Sequence, residues 1–223
     1  MSAVPRRRPR PPRGARNSAV RPELQLVPGF TILVLDTNIL LSSLSMVTAL
    51  VESLRWTIVV PLPAIMELDG LASNATALGE AAKAAIEFVA SHVRSHSDAL
   101  KVQTSRGNYL SSLSVRAEQV DFDDPDSWER SMDDLILKAA IWQDDHWVDR
   151  SALLKVEQLG ERSKGAAKVV LLSLDRNREL SLFPVHSTCL THMVFLVRLK
   201  ARARHLDAAS EKDLGALLAT ITR

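Results

Sequence analysis

The sequence predicts an α/β fold in three layers, with a central parallel sheet between helices on both faces. Three observations carry that reading. The continuous apolar run TILVL at 31–35 and the apolar-rich KVVLLSL at 168–174 have the pattern of strands buried on both sides. Segments with apolar residues at intervals of three and four separate such runs, so strand and helix alternate along the chain. Acidic residues stand where these strands end or helices begin, and in open α/β sheets that edge is where ligands bind.

Taken in order, residues 31–35 form the central strand. A helix follows, with Leu41, Leu44, Val47, Leu50, Val51 and Leu54 at helical intervals. Residues 57–60 read as the second strand. Pro61 and Pro63 then open a short helix through Leu71, because proline's missing donor would be unpaired in a first turn anyway. The alanine-rich stretch 75–93 is a longer helix, 101–104 a short strand, 109–117 a helix, and 121–127 (DFDDPDS) a polar loop. Ser131 begins a helix that runs to about Trp147, and 149–167 is a surface connection with a turn of helix. After the buried strand 168–174 come a short strand at 185–187 and helices at 190–204 and 211–221. No internal repeat is visible.

Composition fits one folded domain with a tail. In 223 residues, 46% hydrophobic content supplies a substantial core. No apolar run reaches the roughly 18 residues of a membrane span. The single cysteine, Cys189, excludes an intrachain disulfide and a multi-cysteine zinc site, and suits a reducing compartment.

Charge is divided unevenly. Arg6, Arg7, Arg8, Arg10, Arg13, Arg16 and Arg21 occur without an acid in the first 21 residues, so removing those seven charges turns the formal +2 into −5. Four prolines between Pro5 and Pro12 prevent a continuous amphipathic helix, and no apolar core of a secretory signal is present. Residues 1–28 are read as a disordered Arg/Pro-rich tail, 29–205 as the folded domain and 206–223 as a C-terminal helix or tail. The arm is a nuclear signal, a nonspecific nucleic-acid tether, or an unstructured tail with no selected role.

Four carboxylates carry the chemistry: Asp36 in LDTN, Glu67 in AIMELDGL, Asp134 in SMDDLIL and Asp175 in LSLDRN. They lie 31, 67 and 41 residues apart, so only a fold that gathers strand ends unites them. A cluster of that kind stays ionised most readily around a hard divalent cation, which points to metal-assisted phosphodiester hydrolysis. Each acid has a plainer alternative. Asp36 can end a strand in an Asx turn, and Asp175 can be a turn residue. Asp134 follows Ser131 in a near capping box, and Asp133 shares its benefit of about 0.3–1 kcal/mol from the helix dipole. Asp69 competes with Glu67, but two residues on a helix differ by about 200°, so both cannot face one cation. The longer arm of Glu67 favours it. Thr37 and Asn38 either orient Asp36 or cap a helix, and Asn38, Ser173 and Asn177 are candidates to support the ligands.

LDTN, VVPLPAIMELDGL, TSRGN at 104–108, DDLILKAA and VVLLSLDRN, in that order, resemble a PIN domain. More narrowly, they resemble the PIN domains of the telomerase-associated and nonsense-mediated-decay endonucleases. The resemblance covers about 31–199 and implies a PIN-like nuclease domain within 29–205. It matches Asp36, Glu67, Asp134 and Asp175 to the family's four acids, which bind Mg²⁺ or Mn²⁺ and cleave single-stranded RNA internally. It further implies RNA-decay or telomere-associated protein partners, no membrane, and a nuclear or cytoplasmic location. One position departs: the family often has Asp or Asn before the last aspartate, where this chain has Leu174. Acids repel a polyanion, so basic and polar groups should line its path. Arg106 and Asn108 are the first candidates for RNA contact, then Arg176 and Lys138, with ordinary solvated charge as the alternative. Trp142 and Trp147 pack in the core, or an exposed ring stacks on a base. A catalytically weak or inactive PIN module that binds RNA or protein in a decay complex is the other reading. A small-molecule phosphohydrolase would need a nucleophilic DxD at a strand end or a glycine-rich phosphate loop, and the DxD triplets of this sequence stand in the polar loop 121–127.

Overall fold

The computed structural model describes residues 24–114, 116–118, 131–154, 163 and 165–173, together with the backbone of 207–209. Strand β1 is Ile32–Leu35, followed by helices α1 (Thr37–Ser42) and α2 (Leu44–Glu52). Strand β2 is Thr57–Pro61 and runs into α3 (Leu62–Ala72), and α4 is Ala77–Ser95. Strands β3 (Leu100–Gln103) and β4 (Tyr109–Leu110) form a hairpin. Helix α5 (Met132–Asp145), strand β5 (Val169–Leu172) and strand β6 (Asp207–Ala209) complete the order.

The six strands lie in the order β4-β3-β2-β1-β5-β6, parallel except for β4. All four residues of β1 are buried, because helices cover both faces of the sheet. Strand alternation splits the side chains between two cores. Leu33 and Leu35 join Ile58, Val60, Leu100, Val102, Val170 and Leu172 beneath α1, α2, α3 and α4. Ile32 and Val34 join Val59, Val169 and Leu171 beneath Ile136, Leu137 and Ala140 of α5. Each such fully buried side chain contributes about 1.5–3 kcal/mol relative to exposure. The three-layer α/β expectation is borne out. The chain builds β1, β2 and β3 outward and then returns to place β5 on the other side of β1, so a topological switch point lies between β1 and β5.

Three local expectations are corrected. The single helix expected after β1 is two, broken at Ser43, whose φ of −137° leaves the helical region. The helix expected over 109–117 is instead β4 followed, at 111–114, by irregular chain. Asn108 O accepts from Thr104 N at 2.9 Å to close the turn, and Gly107 adopts φ +91°. Beyond it Ser112 Oγ accepts from Ser114 N at 3.2 Å, a local bond that competes with helix. The helix or tail expected over 206–223 begins differently, since the backbone of β6 adds a parallel strand beside β5. The expectations for 121–127, 185–187, 190–204 and 211–221 lie outside the described residues.

Candidate active site

Asp36 is the first residue past β1. Its backbone N–H donates to Leu172 O at 3.0 Å, which carries the β1–β5 ladder one step further before α1 begins. The side chain is therefore held at the switch point and is only 2% exposed. Ser173, the residue after β5, donates its hydroxyl to Asp36 Oδ2 at 2.8 Å, and Asn38 Nδ2 reaches the same oxygen at 3.5 Å. Burial pushes the Asp36 carboxyl above the usual carboxylate range, opposed by Ser173, Asn38 and the Thr37 backbone.

Glu67 comes from α3, whose start is set by Pro61 at the N-cap and by Pro63 in the first turn. Thr37 Oγ1 donates to Glu67 Oε2, tying α3 to the residue next to Asp36. Burial also raises the Glu67 carboxyl; the Thr37 hydroxyl opposes this, and the negative charge of Asp36 pushes it higher still. Asp69 is turned away and pairs with Arg116 Nη1. The helical rotation that separates the two acids thus gives each a different neighbour.

Asp134 lies in the first turn of α5 and is 1% exposed, against 8% for Asp133. Ser131 Oγ accepts from the Asp134 N–H at 3.3 Å and donates to Asp134 Oδ2 at 3.1 Å. The other end of α5 is pinned near the start of β1, where Trp147 Nε1 donates to Phe30 O at 3.1 Å. The C-terminal end of α5 therefore faces the edge of the sheet where β1 begins. Asp175 and its neighbours Leu174, Arg176 and Asn177 lie outside the described residues.

Asp36 and Glu67 form a coupled pair of like charge, framed by Ser173, Asn38 and Thr37, which are neutral. Neither pairs with a described Lys or Arg. That is the electrostatic situation a hard divalent cation resolves, so the donor set fits Mg²⁺ or Mn²⁺ held by carboxylate oxygens. Among the described residues, no group of three or more His, Cys, Asp or Glu side chains is placed to hold a metal.

Of the residues considered for RNA, Arg106 and Asn108 are exposed on the 104–108 turn, and Lys138 is half-buried on α5. The turn itself is braced by Glu118 Oε1, which accepts from Ser105 N at 3.0 Å and Ser105 Oγ at 2.6 Å. Trp147 packs on Phe30 with ring centres 4.7 Å apart, and Trp142 lies parallel to the exposed ring of His146 at 4.2 Å. A group not foreseen from sequence surrounds β4. Gln143 Nε2 donates to Gln103 Oε1 and to the Tyr109 hydroxyl at 2.8 Å, and Arg150 Nη2 donates to that same hydroxyl at 2.7 Å. A helical reading of 109–117 hid this group, because it removed Tyr109 from the sheet edge.

Among the described residues no helix is long and apolar enough to cross a membrane. A solved structure of the PIN domain of human SMG5 is 24% identical, covers 32% of this chain and 60% of its own, and has a TM-score of 0.28, too slight a likeness to argue from. The telomerase-binding protein EST1A of Danio rerio is 31% identical over 159 residues, 65% of this chain, which spans 10% of that relative's length. The family model described as PIN domain matches residues 33–181, from inside β1 to beyond Asp175, and the chain therefore belongs to the PIN domain family.

Proposed function

We propose that this chain is a divalent-metal-dependent endoribonuclease that cleaves single-stranded RNA in decay or surveillance. The observation that carries the reading is the buried Asp36–Glu67 pair at the switch point: burial makes each carboxyl costly to ionise, the charge of Asp36 adds to that cost at Glu67, and neither has a described counter-charge. A divalent cation held there supplies Lewis-acid stabilisation of the charge that develops on a phosphate during hydrolysis. Asp36 and Glu67 would hold it, with Asp134 and Asp175 as further ligands. Ser173 and Asn38 fix one oxygen of Asp36, and Thr37 fixes one oxygen of Glu67, so the carboxylates are oriented before any ligand arrives.

The nuclease unit is assigned to residues 29–205 together with the sheet strand at Asp207–Ala209 and with 24–28, where Val27 is buried and Gln25 O accepts from Ala167 N at 3.0 Å; the Arg/Pro-rich residues before them form an appended basic arm. RNA-decay or telomere-associated proteins are the proposed partners, in the nucleus or cytoplasm. The relative's name supports the telomeric side of that assignment.

Purified protein is expected to cut circular single-stranded RNA in Mn²⁺ or Mg²⁺ and to stop when EDTA is added. A circle has no end for an exonuclease, so linear RNA degraded beside an intact circle would sink the endonuclease reading. The greater burial of Asp134 makes a second expectation: Asp134→Asn loses most cleavage, whereas Asp133→Asn retains most of it. Equal losses in the two variants would overturn the choice between them.

One observation favours a second reading, an inactive or weak module that binds RNA or protein. The described residues bring together two acids rather than three, and Ser131 already occupies an oxygen of Asp134. Under that reading the wild-type protein binds RNA and leaves the circle intact at every Mn²⁺ concentration.

A further inference from the structure

The open edge of the sheet at β4 carries an arrangement that neither the carboxylate site nor the family match absorbs. Tyr109 is 42% exposed, a high value for a tyrosine in a sheet. Lys101 Nζ lies 5.4 Å from the centre of its ring and the Arg150 guanidinium 5.6 Å from it, so two cations share one aromatic ring. Neither forms an ion pair with a described carboxylate. Lys101 Nζ donates to Ser97 O at 2.7 Å, and Arg150 Nη1 is buried without a hydrogen-bond partner among the described residues. The Tyr109 hydroxyl accepts from both Gln143 and Arg150, which leaves its own proton for an outside acceptor. Beside this group the exposed His146 ring lies at 9° to Trp142, a stack already begun. Trp142 in turn lies against Gly107 of the 104–108 turn.

Like charges gathered on one ring with no carboxylate partner are costly unless an anion completes them. Burial, and then the charge of Arg150, lower the Lys101 ammonium below its usual range, and Tyr109 and then Asp98 offset this only in part. Cations interleaved with aromatic rings are what single-stranded nucleic acid requires: phosphates meet the charges and unpaired bases meet the rings.

We propose that Lys101, Tyr109, His146 and Arg150 form a second contact surface for single-stranded RNA along the β4 edge, with β4 three strands removed from β1, the strand that Asp36 follows. The inference rests on the RNA reading above and extends it. Strand entering past the 104–108 turn lays one phosphate between Lys101 and Arg150 and one base on the open face of His146. The surface positions RNA and takes no part in bond breaking.

The test is binding of a labelled uridine 20-mer by fluorescence anisotropy in EDTA, so that cleavage does not intrude. Lys101→Gln with Arg150→Gln is expected to weaken binding about tenfold at low salt and to reduce the slope of log affinity against log salt by about 0.7, the value for the one phosphate they share. Tyr109→Leu should weaken it at least about fivefold, and Tyr109→Phe less, since the ring remains. Far-ultraviolet circular dichroism identifies a variant that has failed to fold, and the double variant alters two side chains outside the core. An unchanged affinity and salt slope in the folded double variant overturns the surface, even if the wild type cuts circular RNA. A reduced slope supports it, even if the wild type proves unable to cut. Displacement of the 20-mer by polyglutamate at equal charge concentration overturns it in favour of an acidic protein partner.

Discussion

Asp36→Asn is expected to lower metal-dependent cleavage of circular RNA by about 10²- to 10⁴-fold, the several kcal/mol that a cation's charge stabilisation supplies. The same variant should not lower the melting temperature in EDTA. In the metal-free protein, Asp36 and Glu67 are both raised above the ordinary carboxylate range, burial being the larger cause for each. The folded state therefore binds their protons more tightly than the unfolded chain does. The contribution of such groups is fully present below the unfolded pKa of about 4 and is lost as pH rises through the higher folded pKa. Asparagine at 36 keeps an oxygen for Ser173 and Asn38 and carries no charge, so its advantage over aspartate in EDTA should widen from pH 4 toward pH 8.

Added Mn²⁺ should reverse the order. A ligand at a hundred times its Kd stabilises the state it binds by about 2.7 kcal/mol, and the wild type should gain this while Asp36→Asn gains little. Thr37→Val, which removes the hydroxyl that orients Glu67, should cost about 10- to 100-fold in cleavage and leave the apo melting temperature close to wild type. The reading fails if Asp36→Asn melts several degrees lower than wild type in EDTA at pH 7.5, or if it still cuts at the wild-type rate.

Gly107→Ala is the stability prediction with the largest expected effect, a loss of about 3 kcal/mol. Gly107 sits at φ +91°, where a residue with a Cβ is strained by about 1–3 kcal/mol. The added methyl would also overlap the indole of Trp142, a rigid ring already stacked on His146, so relief requires a shift of α5 or of the turn. At roughly 2–4 °C per kcal/mol for a chain of this size, the midpoint should fall by about 6–12 °C. Gly70→Ala is the matched control. It lies exposed within α3, with nothing within 4 Å of the new methyl, and alanine there should stabilise by about 0.5–1 kcal/mol. Thermal melts of both variants decide the matter; a Gly107→Ala protein as stable as wild type would mean that the turn does not take this shape.

The central strands were legible because burial on two faces demands apolar side chains at every position, and β1, β2 and β5 meet that demand. Helices α3 and α5 were legible for a related reason, since their starts carry local signals in Pro61 and Ser131, and α4 through its run of alanines. Strand β4 was not. Two residues are too few for a period, and Tyr109–Leu110 are extended because Gln103 and Val102 pair with them across the turn. The break at Ser43 was hidden likewise, since α1 and α2 share one apolar stripe.

Sequence alone nominated Asp36 and Glu67, because an acid after an apolar strand or inside an apolar helix is costly without a purpose. It also showed that Glu67 and Asp69 cannot face one way, since the helical period is a local property. Only the tertiary structure decided which of the two turns toward Asp36, because Thr37 and Arg116 come from segments 30 residues before Glu67 and 47 after Asp69. The surface around Tyr109 is likewise invisible along the chain. Lys101, Tyr109, His146 and Arg150 carry no shared pattern, and it is the β3–β4 hairpin packed against α5 that sets two cations on one ring. Periodicity and capping act between neighbours in sequence, whereas electrostatic coupling acts between neighbours in space, so the elements were written locally and the site was not.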